Sequence, residues 1–254
     1  MGKAKRNYQQ NQFYPSEYAP KDLSEHPFYG LTLDPDQQIF RDCIWDSEKT
    51  IVLCDAKAGS GKSLIALGTA NLLVQYGLKD GIVYIMFPTQ EQRQGYLPGT
   101  IEEKSAPYMQ PLLDAMTTLG IPSYALQSDD NIQAMKSGDA YIQFTVDTFL
   151  RGCNFENKVI IIEEAQNAYF DILKKTLTRL HDSCKVIMIG SHIQCDLVKN
   201  KDRSGFTTYL NAFNEEIITE GPHANKIAIC ELHTNHRGWL SNFCDMVPDP
   251  NDNK

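Results

Sequence analysis

The run Ala56-Lys57-Ala58-Gly59-Ser60-Gly61-Lys62-Ser63 constrains this chain more than any other feature, because of what flanks it. Before it, Thr50-Ile51-Val52-Leu53-Cys54 reads as a short buried strand. After it, apolar residues from Leu64 to Val74 recur at the spacing of a helix laid on a sheet. Strand, tight loop and helix in that order form a phosphate-binding loop. Gly59 and Gly61 leave room for backbone N–H groups to curl around an anion, and a helix beginning near Lys62 points its positive end at the same place. Lys62 is expected to reach the β- and γ-phosphates of ATP, and the Ser63 hydroxyl to take one position on Mg²⁺. The ordinary alternative, a chance Gly/Lys/Ser cluster in a surface turn, does not explain the flanks.

Composition sets the class. The 254 residues suit one or two domains, and 42% apolar residues are enough for a sizeable core. No stretch approaches the ~20 apolar residues of a membrane helix, and no basic-plus-apolar leader opens the chain. The expectation is a soluble, cytoplasmic protein with no membrane partner. Seven scattered cysteines without a C-x-x-C pair read as reduced packing residues. A net charge of −8 argues against a broad nucleic-acid-binding surface and leaves room for a local basic groove.

Alternating apolar runs and helical patterns predict an α/β domain with a mostly parallel sheet covered on both faces. Strands are expected at 50–54, 82–87, 139–145, 158–162, 185–190 and 226–231. Helices are expected at 36–46, 62–75, 107–119, 169–181 and 205–213. Residues 1–30 read as a polar, surface-wrapped or poorly ordered arm, 31–245 as one domain and 246–254 as a polar tail. Between 88 and 106, Pro88, Gly95, Pro98 and Gly99 mark a long excursion, and loops of that length are usually functional.

The apolar strand Lys158-Val159-Ile160-Ile161-Ile162 ends in Glu163-Glu164. In parallel sheets ligands gather at the carboxyl ends of strands, so these acids should face the phosphate loop. One can hold Mg²⁺ and the other can orient an attacking water. Alone, the pair would read as a solvated strand end; with the loop, it reads as Glu163 on the metal and Glu164 as the base.

Ala56 to Ser63, Gly95-Tyr96-Leu97-Pro98-Gly99 with Glu102-Glu103-Lys104, and Glu163-Glu164-Ala165-Gln166-Asn167 together resemble the PhoH-like ATPase family. Smaller matches keep the same order: Pro107 to Leu112, Arg151-Gly152, Gln194-Cys195-Asp196 and Ser204-Gly205-Phe206. The resemblance spans about residues 37–213. It implies a RecA-like P-loop NTPase core akin to one motor domain of superfamily 1 helicases, ATP hydrolysis, and RNA or DNA as a partner. Departures stand beside it. Ala56 replaces the first loop glycine, Glu163 the metal-holding aspartate, and Ser191 the acid of a Gly-Asp pair, while Phe87-Pro88 lacks an arginine before proline. Gln194 keeps the place of a γ-phosphate sensor on a neighbouring strand.

Gln37, in the segment Gln37 to Ile44, resembles the glutamine segment that precedes the loop in helicase-like ATPases, where the side-chain amide can make two hydrogen bonds to the N6/N7 edge of adenine; a solvated helix face is the alternative. Arg237, after the last expected strand, lies where such ATPases carry an arginine finger, acting within the chain or across a subunit boundary; a plain surface arginine is the alternative. His192, His233 and His236 share no metal-ligand spacing. The long loop offers Arg93, Tyr96, Lys104 and several glutamines, which suit single-stranded RNA or DNA and self-association equally well. One motor core alone grips nucleic acid poorly, so a homo-oligomer, such as a ring, is expected. Against the ATPase reading stands a nucleotide-binding switch with little turnover.

Overall fold

Five consecutive residues of the first strand, Val52 to Ala56, are buried, which requires layers on both faces of the sheet. The computed structural model describes residues 13–87, 101–128, 131–146, 154–195, 197 and 204–247. Its strands are β1 (Ile51–Ala56), β2 (Ile82–Met86), β3 (Ile142–Val146), β4 (Val159–Glu163), β5 (Lys185–Gly190) and β6 (Ile227–Leu232). All pair in parallel, in the order β3-β2-β4-β5-β1-β6. The acidic strand β4 is therefore separated from the loop strand β1 by β5, and the carboxyl ends of all three open on one edge.

Alternation along the strands divides the core. Val52, Cys54, Tyr84, Ile161 and Ile189 face α1 (Pro35–Trp45), α2 (Lys62–Gln75) and α3 (Ile101–Leu119), while Leu53, Ile85, Ile160, Ile162 and Met188 face α5 (Phe170–Leu177) and α6 (Gly205–Ile218). Asp34 starts α1 with a reciprocal capping box to Gln37. Helix α2 is buried on every side from Ile65 to Val74 because α1, α3 and the sheet surround it. Its buried Asn71 is satisfied by tyrosines: Asn71 Nδ2 donates to the Tyr29 hydroxyl at 2.8 Å, and the Tyr141 hydroxyl donates to Asn71 Oδ1 at 2.6 Å.

Residues 13–30 run along the surface, mostly exposed, and are pinned there by Leu23 and Phe28, which are buried in the α1–α3 core. The physical reason is Gly68 on α2, whose missing side chain leaves the space Phe28 fills; a Cβ there would lie 2.6 Å from Phe28 Cζ. Helix α3 begins at Ile101, not near 107, and runs through Pro107 and Pro111, each of which removes one backbone donor. Two short helices, α4 (Ile132–Ser137) and α7 (Trp239–Asp245), were not expected; both fall below the length at which periodicity is legible. Residues 1–12, 88–100, Arg151-Gly152, Cys153, Asp196 and 248–254 lie outside the described residues, and with them most of the loop proposed to meet nucleic acid. The six described cysteines are free thiols. Among the described residues no helix is long and apolar enough to cross a membrane.

Candidate nucleotide site

The turn between β1 and α2 has the backbone an anion cradle requires. Gly59 and Gly61 take φ of 87° and 85°, values open to glycine and strained for other residues. Ala56 is not among the residues with positive φ, so alanine serves in place of glycine there. Inside the turn, Ser60 Oγ donates to the Lys57 carbonyl at 3.0 Å, and Lys62 Nζ lies 3.4 Å from the same oxygen. The Ala58 N–H donates to Gln194 Oε1 at 3.2 Å, which joins the loop to the segment after β5.

Glu163 ends β4 at 2% exposure, and both its oxygens have partners. Ser63 Oγ donates to Oε1 at 3.0 Å and the Tyr84 hydroxyl donates to Oε2 at 2.5 Å. Burial pushes the carboxyl above its usual range, against the opposing pull of the Tyr84 hydrogen bond; neighbouring Glu164 adds to the rise. The next residue turns out of the strand in the left-handed conformation, φ 54° and ψ 39°. Such a backbone costs on the order of 1 kcal/mol for a residue with a side chain, and it clusters at working sites. Glu164 Oε2 accepts from Gln166 Nε2 at 2.5 Å, and Gln166 Oε1 in turn accepts from the Ser191 N–H at 3.2 Å. The end of β5 is thereby connected to the Glu164 carboxylate through one buried amide.

Two further segments close on the loop. The His236 N–H donates to the Gly59 carbonyl at 2.9 Å, and the Arg237 N–H donates to Asn235 Oδ1 at 2.9 Å. Arg237 Cδ lies 3.1 Å from where a Cβ on Gly59 would stand, so this arginine sits beside the loop of its own chain. His236 and His233 anchor the segment on the start of α1: His236 Nε2 meets Asp34 Oδ2 at 2.9 Å, and His233 Nδ1 meets Asp36 Oδ2 at 2.9 Å. On the other side, Asp55 at the end of β1 accepts from the His192 backbone N–H at 3.0 Å and pairs with its ring.

The Gln37 side-chain amide is bonded at both ends. Its Nε2 donates to the Ser60 carbonyl at 2.9 Å, and its Oε1 accepts from the Asp34 N–H at 3.2 Å. Both ends of this amide brace the loop against α1, and reading a base would require it to release one of them. Sequence reasoning missed Tyr84, Asn235 and the histidine–aspartate pairs, and it gave Gln166 no role. The signal for Tyr84 was present: it is the single polar residue of β2.

The donors fit a small hard cation. A serine hydroxyl and a buried carboxylate converge, both oxygen ligands, and a cation would offset the burial of Glu163. Among the described residues no three acids, histidines or cysteines gather into a metal centre. A cation between Ser63 and Glu163 would complete its shell with phosphate oxygens and water.

A glycine cradle at a helix start, an acidic strand two places away in a parallel sheet, and a polar segment on the strand between them define an α/β P-loop fold. The chain belongs to the PhoH-like protein family, whose pattern matches residues 32–232. Its relatives include Protein PhoH of Escherichia coli strain K12, 31% identical over 169 residues that make up 66% of this chain and 46% of that protein. Protein PhoH2 of Bacillus subtilis strain 168 is 33% identical over 149 residues, 58% of this chain and 33% of that protein. The chain thus matches less than half the length of these relatives. Among solved structures it is similar to the Pyrococcus furiosus Hef helicase domain, with TM-score 0.44 and 13% identity over 80% of this chain and 38% of that one. That likeness is too distant to inform function.

Proposed function

We propose that this protein binds ATP with Mg²⁺ at the Ala56–Ser63 loop and hydrolyses it. The observation that carries the reading is the 3.0 Å contact between Ser63 Oγ and Glu163 Oε1, which brings the loop and the acidic strand to one point. Lys57, Gly59, Ser60 and Gly61 wrap the phosphates with backbone N–H groups, Ala58 joins them when its N–H leaves Gln194, and Lys62 sets its charge against the β- and γ-phosphates. Ser63 and Glu163 would hold the cation, directly or through water. Bound Mg²⁺ supplies charge neutralisation on the phosphate oxygens. Glu164 takes the proton of the attacking water, held by Gln166; Gln194 connects the γ-phosphate side of the loop to β5, and Arg237 stabilises charge that develops on the transferred phosphoryl group.

Coupling of hydrolysis to single-stranded RNA or DNA, and assembly of several copies, extend this reading and rest on the resemblance and the long loop. The test begins with calorimetry. Lys62→Ala should abolish Mg-ATP binding while the melting temperature holds, and equal affinity in the two proteins would end the phosphate-loop reading. Turnover measured with and without single-stranded RNA and DNA tests the coupling; an unstimulated rate with both would remove it.

A further inference from the structure

Tyr84 is the fully buried residue at the centre of β2, with isoleucine, valine and methionine as its strand companions. Its ring lies against Phe144, centroids 6.3 Å apart and planes inclined by 25°, so the phenol has one direction in which to point. That direction is Glu163 Oε2, 2.5 Å away. Register explains the reach. Glu163 pairs with Met86 across the β2–β4 ladder, and Tyr84, two residues earlier on the same face, is its diagonal neighbour.

The carboxylate at this place in P-loop enzymes is ordinarily an aspartate. A glutamate carries one more torsion, and an unrestrained torsion at a metal ligand lowers affinity by the freedom lost on binding. In this chain the extra torsion is fixed at the oxygen that does not face Ser63. We propose that Tyr84 is a positioning residue for the cation site: its hydroxyl holds Oε2 of Glu163 so that Oε1 stays beside Ser63 Oγ, where Mg²⁺ joins the nucleotide. The inference rests on the nucleotide reading and adds to it a residue that touches neither nucleotide nor metal.

The test reads binding, not turnover. A fluorescent ATP analogue is titrated into wild-type protein at a series of Mg²⁺ concentrations, and the Mg²⁺ midpoint is compared with that of Tyr84→Phe. Loss of a hydrogen bond to a charged group should raise the midpoint by about tenfold. Affinity for the nucleotide without Mg²⁺ should be unchanged. Glu163→Asp supplies the control, because the shorter carboxylate cannot reach the phenol; in that background Tyr84→Phe should shift the midpoint by less than about twofold, the non-additivity of a shared contact. A purely structural tyrosine would lower the melting temperature and leave the midpoint in place, and that result overturns the proposal while the nucleotide site stands. Wild-type protein that binds no nucleotide overturns both. If Tyr84→Phe does not fold, 3-fluorotyrosine at position 84 carries the test: its ¹⁹F resonance should move when Mg²⁺ is added to the nucleotide complex, and an unmoved resonance overturns the proposal.

Discussion

Asn235 Oδ1 stands 2.5 Å from the point a Cβ on Gly59 would occupy, so the tip of the phosphate loop and the segment after the last strand meet with no room for a side chain between them. The same oxygen accepts the Arg237 N–H, which turns Arg237 toward the loop of its own chain. Arg237→Ala is expected to slow ATP hydrolysis by about 10³-fold, the scale of an arginine finger. Its melting temperature should stay within a degree or two of wild type. Because the arginine is seated in its own chain, mixtures of Arg237→Ala and Glu164→Gln should stay inactive. Recovered activity on mixing would show the arginine acting across a subunit boundary.

The proposed roles of Glu164 and Glu163 separate by substitution. Glu164→Gln should retain Mg-ATP and lose hydrolysis, since an amide cannot take the proton of water. Glu163→Gln should raise the Mg²⁺ needed for binding. Unchanged steady-state turnover in Glu164→Gln would assign the base elsewhere.

A methyl group on Gly190 would lie 2.6 Å from Gln166 Oε1 and displace the amide that holds Glu164. Gly190→Ala should therefore lower the hydrolysis rate while nucleotide affinity, measured by calorimetry, changes little. Equal losses in rate and affinity would mean that the whole edge of the sheet has shifted, not the base alone.

The anchor of the Arg237 segment on α1 should depend on pH. The Asp36 hydrogen bond raises the His233 pKa above 6.5, and the same contact lowers the Asp36 carboxyl below 3.8. A raised histidine stabilises the docked segment fully below pH 6.5 and loses that contribution as pH climbs through its higher folded value. The lowered aspartate contributes above pH 3.8 and is lost as pH falls through its folded value. The contact is thus strongest between these limits. NMR titration of the His233 ring should give a midpoint above 6.5 that falls toward the ordinary value in Asp36→Asn, with Glu231, 3.3 Å from Nε2, keeping part of the rise. A midpoint unaffected by that substitution would dismiss the anchor.

The strands were legible because each is a continuous apolar run, and β5 and α2 fall where periodicity puts them. The loop was legible because glycine spacing encodes backbone conformation directly. That Ser63 and Glu163 meet was legible from chemistry alone, since a parallel sheet collects strand ends on one edge. What could not be read were contacts set by tertiary closure. Gln37 binds the Ser60 carbonyl across 23 residues, and His233 and His236 find Asp36 and Asp34 across some two hundred. No local pattern carries such distances. The start of α3 was not legible, because Pro107 and Pro111 interrupt a helical pattern that in the structure begins at Ile101 and runs past both.

Phe28 and Gly68 have a consequence for what counts as the smallest stable piece of this protein. The family match begins at residue 32, yet the ring that fills the hollow on α2 belongs to residue 28, and Leu23 is sealed in the same cluster. A fragment cut at the edge of the shared pattern would leave one hollow against the helix that begins at Lys62 and another in the same core, and truncating a buried leucine or phenylalanine to alanine costs about 2–5 kcal/mol each. Recognisable ancestry and mechanical self-sufficiency therefore end at different places in this chain. The strip of sequence lying outside the family's signature is what keeps the floor beneath the phosphate cradle from caving in.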